Sequence, residues 1–241
     1  MKLIEVNSIS KYFLPAGRQG GHVKALDDVN FHVEKGECLG LAGESGSGKS
    51  TLARILLKLI PASEGEIIYA EDFSRKDYQM VFQNPWTSLN PRMRVKDILK
   101  EPLHIHGIRK DIAQILKEVE LDESFLDKYP HELSGGERQR IGIARAVSIG
   151  PKFLLLDEPV SSLDVTIQAG ILKLLKNLRS QLNLTILFIA HDLSIIRYMC
   201  ERVAVMKSGT IVEIGQVSEV YRDPQHSYTK SLLESIPRLI S

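Results

Sequence analysis

The sequence is short of cysteine, of net charge and of long apolar runs, and each shortage removes a class of protein. Its two cysteines, Cys38 and Cys200, stand far apart and in no CxxC arrangement. Neither a disulfide framework nor a zinc site is expected, and both read as reduced, buried thiols. Lysine and arginine number 31 against 30 aspartates and glutamates, a formal charge of +1. No global field draws such a chain to DNA or to an anionic bilayer, and no nucleic-acid partner is expected. The longest apolar stretches, such as Leu184–Ala190, fall far short of the roughly 20 residues of a membrane-spanning helix. Any role at a membrane must come through a partner. The first residues, MKLIEVNSISKYF, alternate apolar and polar side chains. They read as a strand instead of a signal peptide, which predicts a chain that stays in the cytosol. Internal repeats and low-complexity tracts are lacking too.

At 241 residues the chain is either one large domain or two small ones. The apolar runs Cys38–Ala42, Gln79–Phe82, Phe153–Leu156 and Thr185–Ala190 alternate with helical segments. That alternation predicts an α/β fold with a mostly parallel sheet. Leu3–Val6 and Val29–Val33 read as antiparallel strands. So does the pair Val203–Met206 and Thr210–Glu213, turning at Lys207-Ser208-Gly209. Pro15–Lys24 is polar and glycine-rich and reads as an exposed loop. Past Asn84 the strand signal gives way to helical spacing in Val95–Leu103, Lys110–Glu120 and Gly135–Ile149. The pattern predicts an α/β core built from residues 1–83 and 151–241, with a helical subdomain over 84–150, all within one domain spanning 1–241.

GESGSGKST, residues 43–51, follows the apolar run Cys38–Ala42 and precedes the helical run Leu52–Leu59. This is the strand-loop-helix setting that the GxxxxGK[ST] pattern requires. Gly43, Gly46 and Gly48 let the backbone curl until successive N–H groups aim at phosphate oxygens. The whole run Gly43, Glu44, Ser45, Gly46, Ser47, Gly48, Lys49, Ser50 and Thr51 is therefore a candidate nucleotide contact. Lys49 is expected to meet the β- and γ-phosphates, Ser50 to offer its hydroxyl to Mg²⁺, and Thr51 to add a phosphate contact. The bland alternative, a glycine-rich turn without chemistry, does not explain the setting. Alone, the motif says only nucleoside triphosphate, since kinases, GTPases and motors share it.

LSGGERQR, residues 133–140, opens a helix with Ser134 as N-cap and Glu137 as its capping-box partner. Capping accounts for Ser134 and Glu137 but not for Gly135 and Gly136, each of which lowers helix propensity by about 1 kcal/mol. Such a pair makes sense where the backbone must approach something closely, and a phosphate at the helix N-terminus is one such thing.

LSGGE, with FLLLDEP (153–159), SSLD (161–164), Gln83 at the end of QMVFQ and His191 in IAHDLS, resembles the ABC ATPase family in motif order, over essentially the whole chain. The resemblance implies an ABC ATPase fold: a phosphate-loop core with a mostly parallel sheet, an antiparallel β subdomain and the inserted helices. It implies ATP and Mg²⁺ as ligands, with Asp157 as the metal-holding aspartate, Gln83 and Ser50 beside it, and Glu158 as general base. A carboxylate just past a strand end can polarise an attacking water, which supports that role on chemical grounds. Pro159 stops the strand. His191 is expected at the γ-phosphate, Asp164 in the D-loop, and Phe13, in preference to Tyr12, against adenine. Ser134, Gly135, Gly136 and Glu137 are expected to meet nucleotide held by a second ATPase subunit, identical or related, in a head-to-tail dimer.

QNPWTSLNPRMRVKDILKEPL (83–103) and DPQHSYTKSLLESIP (223–237) resemble the dipeptide, oligopeptide and nickel importer ATPases. That resemblance implies permease partners, an indirect solute-binding protein, and a peripheral place on the cytoplasmic face of the membrane. Trp86 and Leu89 become docking contacts, and the cargo stays open between peptides and nickel or metallophores. The stretch between Gly65 and Gln79 is shorter than is usual there and reads as a trimmed loop and helix. A soluble ABC ATPase of DNA repair or translation is the rival reading, although the chain lacks long coiled-coil insertions and a second cassette.

Overall fold

The computed structural model describes residues 1–14, 22–70, 73–82 and 88–235. In chain order the elements are β1 Lys2–Phe13, β2 Val23–Glu34, β3 Cys38–Ala42, α1 Lys49–Leu56, β4 Glu64–Tyr69 and β5 Tyr78–Val81. Then come α2 Val95–Ile105, α3 Ile112–Glu118, α4 Gly135–Val147, β6 Phe153–Asp157 and α5 Val165–Leu182. The order ends with β7 Thr185–Ala190, α6 Leu193–Met199, β8 Arg202–Lys207, β9 Thr210–Gln216, α7 Val217–Arg222 and α8 Ser227–Glu234. The chain forms two compact units, one of Met1–Phe73 with Thr185–Ser241, the other of Ser74–Leu184.

In the first unit β3 pairs in parallel with β7 on one side and β8 on the other, and β9 returns antiparallel beside β8. Both β3 and β7 are buried along their whole length, which is why they read as unbroken apolar runs without alternation. Gly40 sits where α6 crosses β3: a Cβ there would lie 2.5 Å from Ile196 Cγ2. The β8–β9 hairpin turns through Ser208 and Gly209, at φ 48° and 87°, as a tight two-residue hairpin requires.

A second sheet in this unit runs β2-β1-β4, antiparallel throughout. Both long strands exceed the expected runs, and Val23 and Lys24, expected in a loop, pair with Phe13 and Tyr12 at the start of β2. The rest of that loop, residues 15–21, lies outside the described residues. Ile4, Val6, Ile9, Leu26, Val29 and Val33 bury one face. β4 was not expected: residues 64–69 are an edge strand on β1. Its signal is weak because its side chains are exposed or half-buried. Gly65 makes the pairing possible, since a Cβ would stand 2.3 Å from Ser8 O.

In the second unit β5 and β6 pair in parallel, and α2, α3 and α4 match the expected helical segments closely. The core gathers Leu99, Ile115, Leu116, Ile141, Ile143, Val147 and Phe153. Leu89, expected as a docking contact, is only 2% exposed; an apolar side chain this deep serves packing. Trp86 lies outside the described residues. Among the described residues no helix is long and apolar enough to cross a membrane.

Candidate nucleotide site

The phosphate loop belongs to the first unit and is built by glycine conformation. Gly43, Gly46 and Gly48 have φ of 146°, 80° and 109°, values that side-chain-bearing residues rarely adopt. At Gly43 space forbids a side chain as well, because a Cβ would stand 2.2 Å from Met206 O. Ser47 fastens the loop to the β8–β9 hairpin, its carbonyl accepting the Gly209 N–H at 2.9 Å. Lys49, 6% exposed, folds back on the loop and donates to Gly43 O at 2.6 Å and Glu44 O at 2.7 Å. Buried ammonium groups need such partners, and phosphate oxygens are stronger ones. Ser50 is exposed and Thr51 half-buried on the first turn of α1.

His191 follows β7 directly and is exposed. Its neighbour Asp192 caps α6 by accepting the Ser194 N–H at 2.7 Å. Tyr12 and Phe13 differ in how they are used. The Tyr12 hydroxyl donates to Glu64 Oε2 at 3.2 Å, whereas the Phe13 ring is 41% exposed with Lys11 Nζ 5.3 Å from its centroid. Of the two rings Phe13 is the more exposed, and a free aromatic face is what stacking on a planar group requires.

The second unit holds the remaining described residues. Asp157 ends β6 half-buried, and Glu158 follows it at φ 46°. A carboxylate residue held in the left-handed region is strained, and such strain gathers at functional positions. The Glu158 carbonyl accepts the Ser161 N–H at 3.3 Å, which fixes the turn after β6. Asp164 N-caps α5, accepting the Ile167 N–H at 3.0 Å.

At the start of α4 the capping box is formed: Glu137 N–H donates to Ser134 Oγ at 3.3 Å and Ser134 N–H to Glu137 Oε2 at 2.7 Å. That backbone hydrogen bond holds the Glu137 carboxyl below the usual range against a smaller opposing effect of burial. The paired glycines have a packing reason that the sequence did not suggest. A Cβ on Gly136 would lie 2.6 Å from Ile167 Cγ2, and one on Gly135 3.3 Å from Leu163 Cδ2. The close approach recorded here is to the first turn of α5 and the turn before it. Gln83 lies outside the described residues.

Sequence reasoning missed three supports. Arg138 is buried and donates from Nε to Pro130 O at 3.0 Å, tying α4 to the turn before it. The hairpin turn at Gly209 holds Ser47, as described above. Tyr228, on α8, accepts the Glu44 N–H at 3.0 Å. A hint of the third was present, since 223–237 had a family resemblance but no role. The cysteines are free and buried as expected, yet their sulfur atoms lie 3.2 Å apart, a contact their separation in sequence conceals.

A glycine-built loop between a buried parallel strand and a helix, with its lysine folded into it, defines a phosphate-loop nucleotide-binding fold. Residues 26–161 match the family described as ABC transporter. The oligopeptide transport ATP-binding protein OppF of Bacillus subtilis is 45% identical over 98% of this chain and 83% of its own length. The dipeptide transport ATP-binding protein DppF of Lactococcus lactis is 44% identical over 98% of this chain and 81% of its own length. Among solved structures, the dimeric post-hydrolysis cassette MJ0796 bound to ADP and Pi aligns with TM-score 0.75 at 29% identity, covering 89% of this chain and 98% of that one. The cbiO1 protein of Clostridium perfringens, part of the transporter complex cbiONQ, aligns with TM-score 0.79 at 28% identity, covering 98% and 96%. The chain belongs to the ABC transporter family and has the fold of its ATPase subunits.

Proposed function

We propose that this chain is the ATP-binding and ATP-hydrolysing subunit of a peptide importer, lying against permease subunits on the cytoplasmic face of the membrane. The observation that carries this reading is the phosphate loop, in which three left-handed glycines and a Lys49 ammonium bound to the loop's own carbonyls make a cradle suited to phosphate. On binding ATP, Lys49 exchanges those carbonyls for β- and γ-phosphate oxygens, and Phe13 offers its ring to adenine.

Ser50, Gln83 and Asp157 supply only oxygen donors, the set that Mg²⁺ prefers. Bound there, Mg²⁺ offsets phosphate charge. Glu158 polarises the attacking water, while His191 and Gln83 orient the γ-phosphate. Ser134, Gly135, Gly136, Glu137 and Asp164 face nucleotide held by a second ATPase subunit, identical or related; the dimeric MJ0796 cassette supports this pairing. On this reading 1–241 is one ATPase domain whose core is 1–83 and 151–241, with the helical subdomain at 84–150. The relatives' names favour peptides over nickel chelates as cargo, and transport over DNA repair or translation.

The test has two arms. Purified chain with Mg-ATP is expected to release phosphate, and Glu158→Gln to slow release by roughly 10² to 10⁴ while still binding ATP. Reconstituted with its permease in vesicles, the chain is expected to drive ATP-dependent uptake of a labelled oligopeptide. Turnover within a few-fold of wild type removes Glu158 as the base, and uptake of a nickel chelate in place of peptide overturns the cargo.

A further inference from the structure

One peptide plane in the phosphate loop is held at both ends. The unit between Gly43 and Glu44 presents its carbonyl to Lys49 Nζ at 2.6 Å and its N–H to the Tyr228 hydroxyl at 3.0 Å. The lysine belongs to the loop. The tyrosine comes from α8, 184 residues further along the chain, and its side chain is 8% exposed.

The approach to α8 is itself anchored. Glu213, on β9, accepts the Gln225 N–H at 2.8 Å and the His226 N–H at 3.0 Å, one on each carboxylate oxygen. His226 then caps α8, its Nδ1 accepting the Tyr228 N–H at 3.1 Å. Lys207, at the end of β8, holds its ammonium 4.7 Å from the centre of the Tyr228 ring. The ring is thus set by both strands of the β8–β9 hairpin, the same hairpin whose Gly209 N–H holds Ser47 O. Two separate hydrogen bonds from the end of the first unit therefore fix the loop, one at Glu44 and one at Ser47.

We propose that Tyr228 is a positioning residue for nucleotide binding, acting through the Gly43–Glu44 peptide. Lys49 holds the Gly43 carbonyl and so helps to set that peptide plane. When the ammonium leaves for phosphate, the carbonyl loses this partner, and the Tyr228 hydroxyl becomes the contact that keeps the plane from turning. The loop then stays in the shape that takes phosphate, and binding need not include the cost of ordering it. Tyr228 touches no substrate; its effect is on affinity, not on the chemical step.

This inference rests on the phosphate-loop reading above, and two variants separate them. Tyr228→Phe keeps the ring and its packing and deletes only the oxygen. It is expected to raise KM for Mg-ATP about three- to tenfold, the worth of one partly buried hydrogen bond, with kcat within twofold of wild type. A second measurement uses equilibrium binding of Mg-ADP and of adenosine. Diphosphate binding is expected to weaken in parallel with KM, and adenosine binding to stay unchanged. A merely structural loss would lower kcat through the folded fraction and weaken both ligands alike, and that outcome overturns the proposal. So does an unchanged KM. Lys49→Ala is the control: if it retains turnover, the phosphate-loop reading falls and this inference with it. If Lys49→Ala is inactive and Tyr228→Phe binds Mg-ATP as wild type does, only the role of Tyr228 falls.

Discussion

Two helices of this chain start on glycine-rich turns and treat their first amide groups in opposite ways. α1 begins after Gly48, at φ 109° and with no side-chain cap. α4 begins after Ser134, whose hydroxyl and N–H both engage Glu137 in a closed capping box. The glycines differ as well. Gly43 and Gly48 hold backbone angles that a side chain resists and press against backbone carbonyls, whereas Gly135 and Gly136 make room for the side chains of Leu163 and Ile167. The lesson concerns what a helix N-terminus can do. An uncapped one keeps amide donors for an outside anion, while a self-capped one is stable alone and must give up its own serine to meet a ligand. The proposed composite site uses both kinds, with primary binding at α1 and conditional contact at α4.

The largest expected effect tests the first half of that comparison. Lys49→Ala removes the loop's ammonium, and both nucleotide binding and phosphate release are expected to fall below detection. A variant that hydrolyses ATP at the wild-type rate sinks the phosphate-loop assignment. Ser134→Arg tests the second half. It fills the turn before α4 with a long cation, so ATP binding by the monomer is expected to persist and ATP-driven dimerisation to vanish. Light scattering with ATP reads the outcome, and an undiminished dimer refutes the composite site.

The two turns were legible in the sequence to different depths. The phosphate loop announces itself because its signals are local: fixed glycines, and a buried strand that leaves an unbroken apolar run at Cys38–Ala42, the observed extent of β3. β7 likewise matches its run. The capping box was legible because an N-cap and its partner stand three residues apart. The reason for Gly136 was not, since Ile167 meets it only through tertiary packing. β4 escaped for a related reason. It is an exposed edge strand defined by pairing with β1, and its pattern carries almost no apolar face. The resemblance of 223–237 only hinted at Tyr228, because no local pattern ties a tyrosine to an amide so distant in sequence.

One substitution made at both turns sharpens the contrast in glycine use. Gly43→Ala puts a methyl 2.2 Å from a backbone oxygen at φ 146°. Backbone cannot swing aside, so a loss of at least about 2 kcal/mol is expected. Gly136→Ala meets Ile167 Cγ2, a methyl on the β-carbon of a helical side chain with a stiff χ1, at 2.6 Å, without a left-handed φ. About 1 kcal/mol of gained helix propensity offsets part of that clash, so a loss of roughly 1 kcal/mol, smaller than that of Gly43→Ala, is expected. Denaturant melts of the two variants decide it: equal losses would mean that the glycines serve the same purpose.

The smallest expected effect is a pH dependence confined to the capped turn. Ser134 N–H holds the Glu137 carboxyl below its ordinary 4.5, with burial opposing and the Ser134 hydroxyl adding a lesser downward pull. A carboxylate whose folded value is lowered stabilises the native state fully above its unfolded value, and that stability is lost as pH falls through the folded value. Glu137→Gln keeps an oxygen for the Ser134 N–H but removes the charge at the positive end of α4. At pH 7 the substitution is expected to cost at most about 0.5 kcal/mol, because the group is partly exposed and screened by solvent. Below pH 4.5 the wild type loses the same charge, so the two melting curves are expected to converge. The first turn of α1 carries no acidic residue and contributes nothing to this convergence. Melting both proteins from pH 7 down to the lowest pH at which they stay folded measures it. A gap that stays constant across that range would mean that the glutamate acts through its shape alone, and that the cap on α4 owes nothing to charge.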